Sequence, residues 1–263
     1  MTVVETPPPL PVRDRAALRD PAAGALSPML IRLAEERATG VLVREYGSLH
    51  LAEGRVVHAE SPLAPGLDVL LTAHGTLDAA VWPWTDDIPA AAHRLLSAGL
   101  LPRGALELCR LGALYDAGYF ALAPSSTPGR FRYGTPAAEE PFPAVLVTAL
   151  ERETLRRREL LHRIWPDPSA DSAPLIRADP VAPPPVTPRQ RAVLNRVDGV
   201  RTAPEIAREL GRPAFHTLVD VRRLAAAGLL APGTTAAAPP VLPQVTDPDI
   251  ALLKRLRDAL EAL

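Results

Sequence analysis

The densest set of groups able to touch another macromolecule lies toward the C-terminal end, where VTPRQRAVLNRV, RTAPEIARELG and RPAFHTLVDVRRLAAAGLL follow one another. A helix-turn-helix sets the start of its second helix in the major groove of DNA, with side chains on base edges and surrounding arginines on phosphates. On that arrangement Arg212, His216, Thr217 and Arg223 are the groove-facing candidates, and Arg189, Arg191 and Arg222 the backbone contacts. Asp220 lies one turn beyond His216 and opposes them, because a carboxylate there repels phosphate. The plainer alternative is a degenerate winged helix that binds protein, its arginines merely solvating a small surface.

Other chemistry finds little support. A phosphate-binding loop needs closely spaced glycines and a lysine, yet no two glycines lie closer than five residues and the one lysine is Lys254. Cys109 sits in the apolar stretch ALELCRLGALY, where a thiolate is disfavoured and packing is the expected role. His50 and His58 are the nearest pair for a metal. If Glu53-Gly54 is a two-residue hairpin, strict alternation puts position 50 opposite 57 and His58 on the other face, so no shared ion is expected. Asp86-Asp87 and Glu139-Glu140 read as solvated loop charge, and Trp82 and Trp84 as the edge of a core. No catalytic residue, metal ligand or cofactor is assigned, and the chain is read as non-enzymatic.

The elements that must position the basic residues are marked by proline. The chain has 31 prolines in 263 residues, more than twice the usual ~5%. Proline clusters resist both helix and central strand, and they divide the sequence. A Pro-rich N-terminus (1–23) precedes an α+β region (24–143), a connecting helix (144–165) and a Pro-rich linker (166–186). A helix-turn-helix or winged-helix unit (187–232), a second linker (233–246) and a tail helix (247–263) follow. Lys and Arg number 29 against 30 Asp and Glu, but the balance hides a split. Residues 24–143 hold nine Arg against thirteen acids, and 187–232 hold eight Arg against four.

Within the first region SPMLIRLAEER predicts a helix capped by Ser27, and TGVLVREYGSLHLAEGRVVHAES predicts a three-stranded meander. LDAAVWPW and GRFRYG are read as further strands, with helices over Gly66–His74, Ala90–Ala123 (broken at Gly99–Pro102) and Ala144–Trp165. In the basic segment Thr187, Pro188 and Gln190, and then Thr202 and Glu205, have the spacing of capping boxes; Gly211 and Gly228 supply left-handed stops. In the tail Leu253, Leu256, Leu260 and Leu263 form a seam of about two heptads. That seam suits either a homodimer contact or a helix folded back on its own domain.

The meander, with its Gly54, Val56, Val57 and Ala59 pattern, resembles the N-terminal domain of PatA-like bacterial regulators over roughly residues 24–135. Ala105–Tyr119 and GRFRYG correspond to that family's closing helix and aromatic strand. VDGVRTAPEIARELGRPAFHTLVDVRRLAAAGLL resembles the winged-helix segment that often follows such a domain and, through RRLAAAGLL, MarR-type regulators. GTTAAAPPVLP, at the place of the wing, has no cation. The resemblance implies a regulatory, non-catalytic role.

These readings combine into an α+β transcriptional regulator, with DNA as partner of the basic unit and a protein or small effector at the acidic one, acting as a homodimer. A signalling adaptor, with both units binding protein, is the alternative. A single cysteine suits the reducing cytoplasm, and no apolar run reaches the ~18 residues of a membrane span.

Overall fold

Ser27 opens α1 (Pro28–Glu35): its hydroxyl accepts from the Leu30 N–H at 3.3 Å, satisfying a donor that the first helical turn leaves free. The computed structural model describes residues 27–73, 76–82, 88–134, 142–180 and 184–233. The tail seam of Leu253, Leu256, Leu260 and Leu263 lies outside the described residues, as do Trp84, Asp86, Asp87, Glu139 and Glu140.

The meander forms as β1 (Gly40–Arg44), β2 (Gly47–Ala52) and β3 (Arg55–Glu60). Between β2 and β3, Glu53 and Gly54 take φ of +48° and +75°, the pair of left-handed residues that a two-residue hairpin of matching twist requires. β4 (Arg130–Tyr133) pairs with β1 and β5 (Val145–Leu146) with β3, giving an antiparallel sheet of order β4-β1-β2-β3-β5. Leu42, Leu49, Leu51, Val56 and Ala59 line its buried face. The other face carries Val43 and Leu146, both exposed, with Arg130 and Arg132 on β4.

Helices α2 (Leu67–Thr72), α3 (Ile88–Ser97), α4 (Arg103–Ala121) and α5 (Val147–Ile164) complete this half. LDAAVWPW is not a strand over its described residues. Asp78 turns the chain instead, its carboxylate accepting from Ala80 N–H and its carbonyl from Val81 N–H, both at 2.9 Å. Leu77 and Trp82 are thereby buried in a small satellite cluster with Leu95, Leu106 and Phe142.

The stretch expected as a linker also carries structure: α6 (Ser169–Ser172) and β6 (Leu175–Arg177). The basic segment folds as α7 (Pro188–Leu194), α8 (Ala203–Glu209) and α9 (Ala214–Ala226), closed by β7 (Leu230–Pro232). Both capping boxes form, and Gly211 and Gly228 take φ of +57° and +69°. β7 pairs antiparallel with β6, upstream of α7, and among the described residues no hairpin follows α9. The overall class is therefore α+β with a small antiparallel sheet.

A single hydrophobic cluster runs through both halves. Leu42, Leu49, Leu114 and Leu150 belong to it together with Ile206, Leu218, Val221 and Leu224. Among the described residues no helix is long and apolar enough to cross a membrane.

Candidate functional site

Helix α9 is the element to which the sequence assigns the groove-reading role. Its first turn is held from the sheet half. The Phe215 N–H donates to Asp116 Oδ2 of α4 at 3.3 Å, and the Arg157 guanidinium of α5 lies 4.5 Å from the Phe215 ring centroid. Arg157 is itself fixed, donating from Nη1 to Asp116 Oδ1 at 2.7 Å and from Nε to Glu153 Oε1 at 2.8 Å. Burial pushes the Asp116 carboxyl above its ordinary value even against the Arg157 charge. Glu153 moves the other way, held down to about 2 by hydrogen bonds from Arg156 and then Arg157.

The expected groove and phosphate residues separate into two groups. Thr217 is 1% exposed and its hydroxyl bonds back to the Pro213 carbonyl at 3.4 Å. Arg222 is 4% exposed; its Nε and Nη2 grip Asp171 of α6 at 2.6 and 2.7 Å, and Nη1 donates to the Trp165 carbonyl. Both side chains are buried, at odds with the groove-facing and phosphate-facing positions expected of Thr217 and Arg222. The reason is that α5, α6, α7 and α8 all pack on α9 and leave it little free perimeter. Arg189 is spent on Asp220, donating to its Oδ2 at 2.9 and 3.2 Å. Asp220 is consequently buried beneath it rather than exposed beside His216.

Arg191, His216 and Arg223 do reach solvent, and they form no ion pair among the described residues. Arg212 is half-buried, with Nη1 enclosed and without a hydrogen-bond partner there. The segment's own acids pair locally, with Arg196 and Arg201 meeting Glu209 at 3.2 and 2.5 Å and Arg201 also meeting Asp198 at 2.9 Å, while Arg222 draws on Asp171 from outside the segment. The turn before α9 faces the sheet half as well. A Cβ on Gly211 would overlap that of Ala73, and Arg208 Nη2 donates to the Pro62 carbonyl at 2.5 Å.

The histidines need a second correction. The β2–β3 ladder shifts register between His50 and Leu51, so His50 pairs with His58 and not with Val57. Val57 is the extra residue of a bulge, and its carbonyl accepts from Arg110 Nη1 at 2.6 Å. The two imidazoles stand edge to face with centroids 5.3 Å apart, on the sheet face away from the core. His58 Nε2 lies 3.1 Å from Glu60 Oε1. Burial first, and then the His58 charge, lower the pKa of His50. Among the described residues no three His, Cys, Asp or Glu side chains are assembled to hold a metal. Cys109 is half-buried and burial pushes its thiol up, as its apolar context leads one to expect.

No family model, curated protein or solved structure matches the chain. One feature of the geometry has no motif in the sequence. A cleft of ≈ 660 Å³ opens where α4, α5, α6 and α9 meet, with Leu63, Phe120, Leu161 and Leu218 among its walls and Tyr119 and Arg158 beside them. Its lining is drawn from residues that lie far apart in the chain, so no local spacing could signal it.

Proposed function

We propose that this chain is a non-enzymatic, cytoplasmic signalling adaptor, in which the PatA-like sheet half and the trihelical unit together make one protein-binding body. The single observation that carries this reading is the burial of α9. The helix that would read bases spends Phe215, Thr217, Asp220 and Arg222 on contacts within the protein. Freeing it would strand Asp171 without Arg222, part Asp220 from Arg189 and take the Phe215 N–H from Asp116, an expensive step for the largely buried charge of Asp171. A helix used in this way is an internal brace. The outer sheet face, where exposed Val43 and Leu146 stand among arginines, is the surface assigned to the partner protein.

A DNA-binding regulator is the second reading, favoured by the exposure of Arg191, His216 and Arg223. Fluorescence anisotropy of the full chain with duplex DNA, over about 50 to 200 mM salt, separates the two. The adaptor predicts a flat response at micromolar protein. Steeply salt-dependent binding that Arg191→Ala and Arg223→Ala weaken would establish the regulator instead. In parallel, Val43→Glu with Leu146→Glu should abolish capture of a defined partner by the full chain, while the two arginine variants retain it.

A further inference from the structure

Arg158, on α5, lines the cleft at the junction of the two halves. Its guanidinium is half-buried, and burial lowers its pKa. One nitrogen, Nη2, donates to the Leu122 carbonyl at 2.6 Å; the remaining donors meet no carboxylate among the described residues. Arg44 reaches the same end of α4, with Nη2 3.4 Å from the Ala123 carbonyl, and it too has no carboxylate partner among the described residues. Two cations thus share the last carbonyls of one helix, and Arg44 adds to the electrostatic cost of keeping Arg158 charged. The fold desolvates Arg158 and supplies no anion to compensate.

Two other polar groups of the cleft, which His162, Ser172 and Thr202 also line, sharpen this. Asp171 lines the cleft, but both its oxygens are engaged by Arg222, so that pair presents no net charge. Tyr119 is pushed up to about 12, chiefly by burial, and at neutral pH its hydroxyl remains a donor. That hydroxyl makes no hydrogen bond to a described residue. Around these groups the walls are largely apolar: Leu63, Phe120, Ala123, Pro166 and Leu218. The volume of ≈ 660 Å³ lies within the range of small-molecule sites, which favour concave apolar surfaces with a few convergent polar groups.

We propose that this cleft is a receptor site for a small amphipathic anion, whose apolar body lies against Phe120 and Leu218 and whose carboxylate or phosphate is held by Arg158 with Tyr119. A guanidinium suits either head group, since its fork matches both geometries. Because α4 and α5 belong to the sheet half and α9 to the trihelical unit, the ligand ties the two together. The proposal holds whether the outer partner is a protein or DNA.

The test is calorimetric titration of the full chain with decanoate and decyl phosphate, each below its micellar concentration, and with uncharged decanol below its solubility limit. At least one of the two anions should bind saturably at one per chain, about tenfold or more tighter than decanol; the tighter of the two identifies the head group. Arg158→Gln should reduce that affinity to the level of decanol, and Arg158→Lys should restore part of it. Ala123→Trp, which fills the cleft from its rim, should abolish binding while leaving the circular dichroism spectrum and melting temperature of the free protein unchanged. Arg163→Gln, on an exposed residue of the same helix, should bind as the parent does. Anions no tighter than decanol, no saturation at one per chain, undiminished binding by folded Ala123→Trp, or an unaffected Arg158→Gln would each overturn the site.

Discussion

Replacing Arg157 by Met tests the junction on which the functional argument rests. Arg157 is 11% exposed at its side chain and Asp116 2%, so the 2.7 Å pair between them is shielded from water. Methionine keeps a comparable stem but leaves the Asp116 carboxylate buried with only the Phe215 N–H to answer it. Breaking one side of a buried pair costs about 3–5 kcal/mol, and loss of the guanidinium over Phe215 adds about 0.5–2 kcal/mol. For a chain of this size that is a drop of roughly 6–20 °C in melting temperature for the pair alone. The penalty should depend on pH with a definite sign. Burial holds Asp116 above its ordinary value while Arg157 opposes the rise; without Arg157 the value climbs further. A carboxyl raised in the folded state contributes stability that is present below its unfolded value and lost as pH rises through its folded one. The variant should therefore fall furthest behind the parent near neutrality and recover as the pH is lowered. Adding Asp116→Asn removes the stranded charge and keeps an acceptor for Phe215, so the double variant should be more stable than Arg157→Met. Urea unfolding followed by tryptophan fluorescence and circular dichroism reads all three. A cost under about 1 kcal/mol, a penalty independent of pH, or a double variant no better than the single one would refute the reasoning.

Neighbouring arginines should behave differently: Arg222→Ala should destabilise by about 3 kcal/mol through the stranded Asp171, whereas Arg223→Ala should stay within about 0.5 kcal/mol, both read by urea unfolding. Gly54→Ala should cost about 2 kcal/mol, because φ is +75° there and the added Cβ would collide with the Ala34 carbonyl oxygen; thermal melts check it. In an NMR titration His50 should protonate below the usual histidine range, chiefly through burial, and His58→Ala should bring it only part of the way back up. Since its folded value is depressed, the stability His50 contributes is present above the unfolded value and is lost as pH falls through the folded one. Cys109 should alkylate more slowly with iodoacetamide at pH 8 than a free thiol, because burial disfavours its thiolate.

What could be read in advance depended on how local the determinant is. Thr187, Pro188 and Gln190 hold a helix start within four residues, and the structure places α7 there. Gly211 and Gly228 likewise end helices by a property of one residue each. The histidine pairing failed because a single bulged residue inverts the alternation, so that Val56 and Ala59 are both buried although they stand three apart. Arg222 is expected at the surface as a cation, although Leu218 lies four residues before it and Ala225 three after it on the same side of α9. Its partner Asp171 lies 51 positions upstream, in a stretch whose prolines suggested an open linker. The cleft was illegible for the same reason, since its lining converges only when α9 docks on α4 and α5.

The central position of α9 also has a consequence for how the chain is made. Residues 214–226 leave the ribosome after nearly all the elements they contact, and until then α5 and α8 present apolar flanks with nothing to cover them. Closure of the whole fold waits on pairings distant in sequence, such as Asp116 with Phe215, which is the kind of topology that forms slowly. Nascent chains of this protein are thus expected to need a holding chaperone, and truncations before Ala226 to aggregate rather than yield a working half.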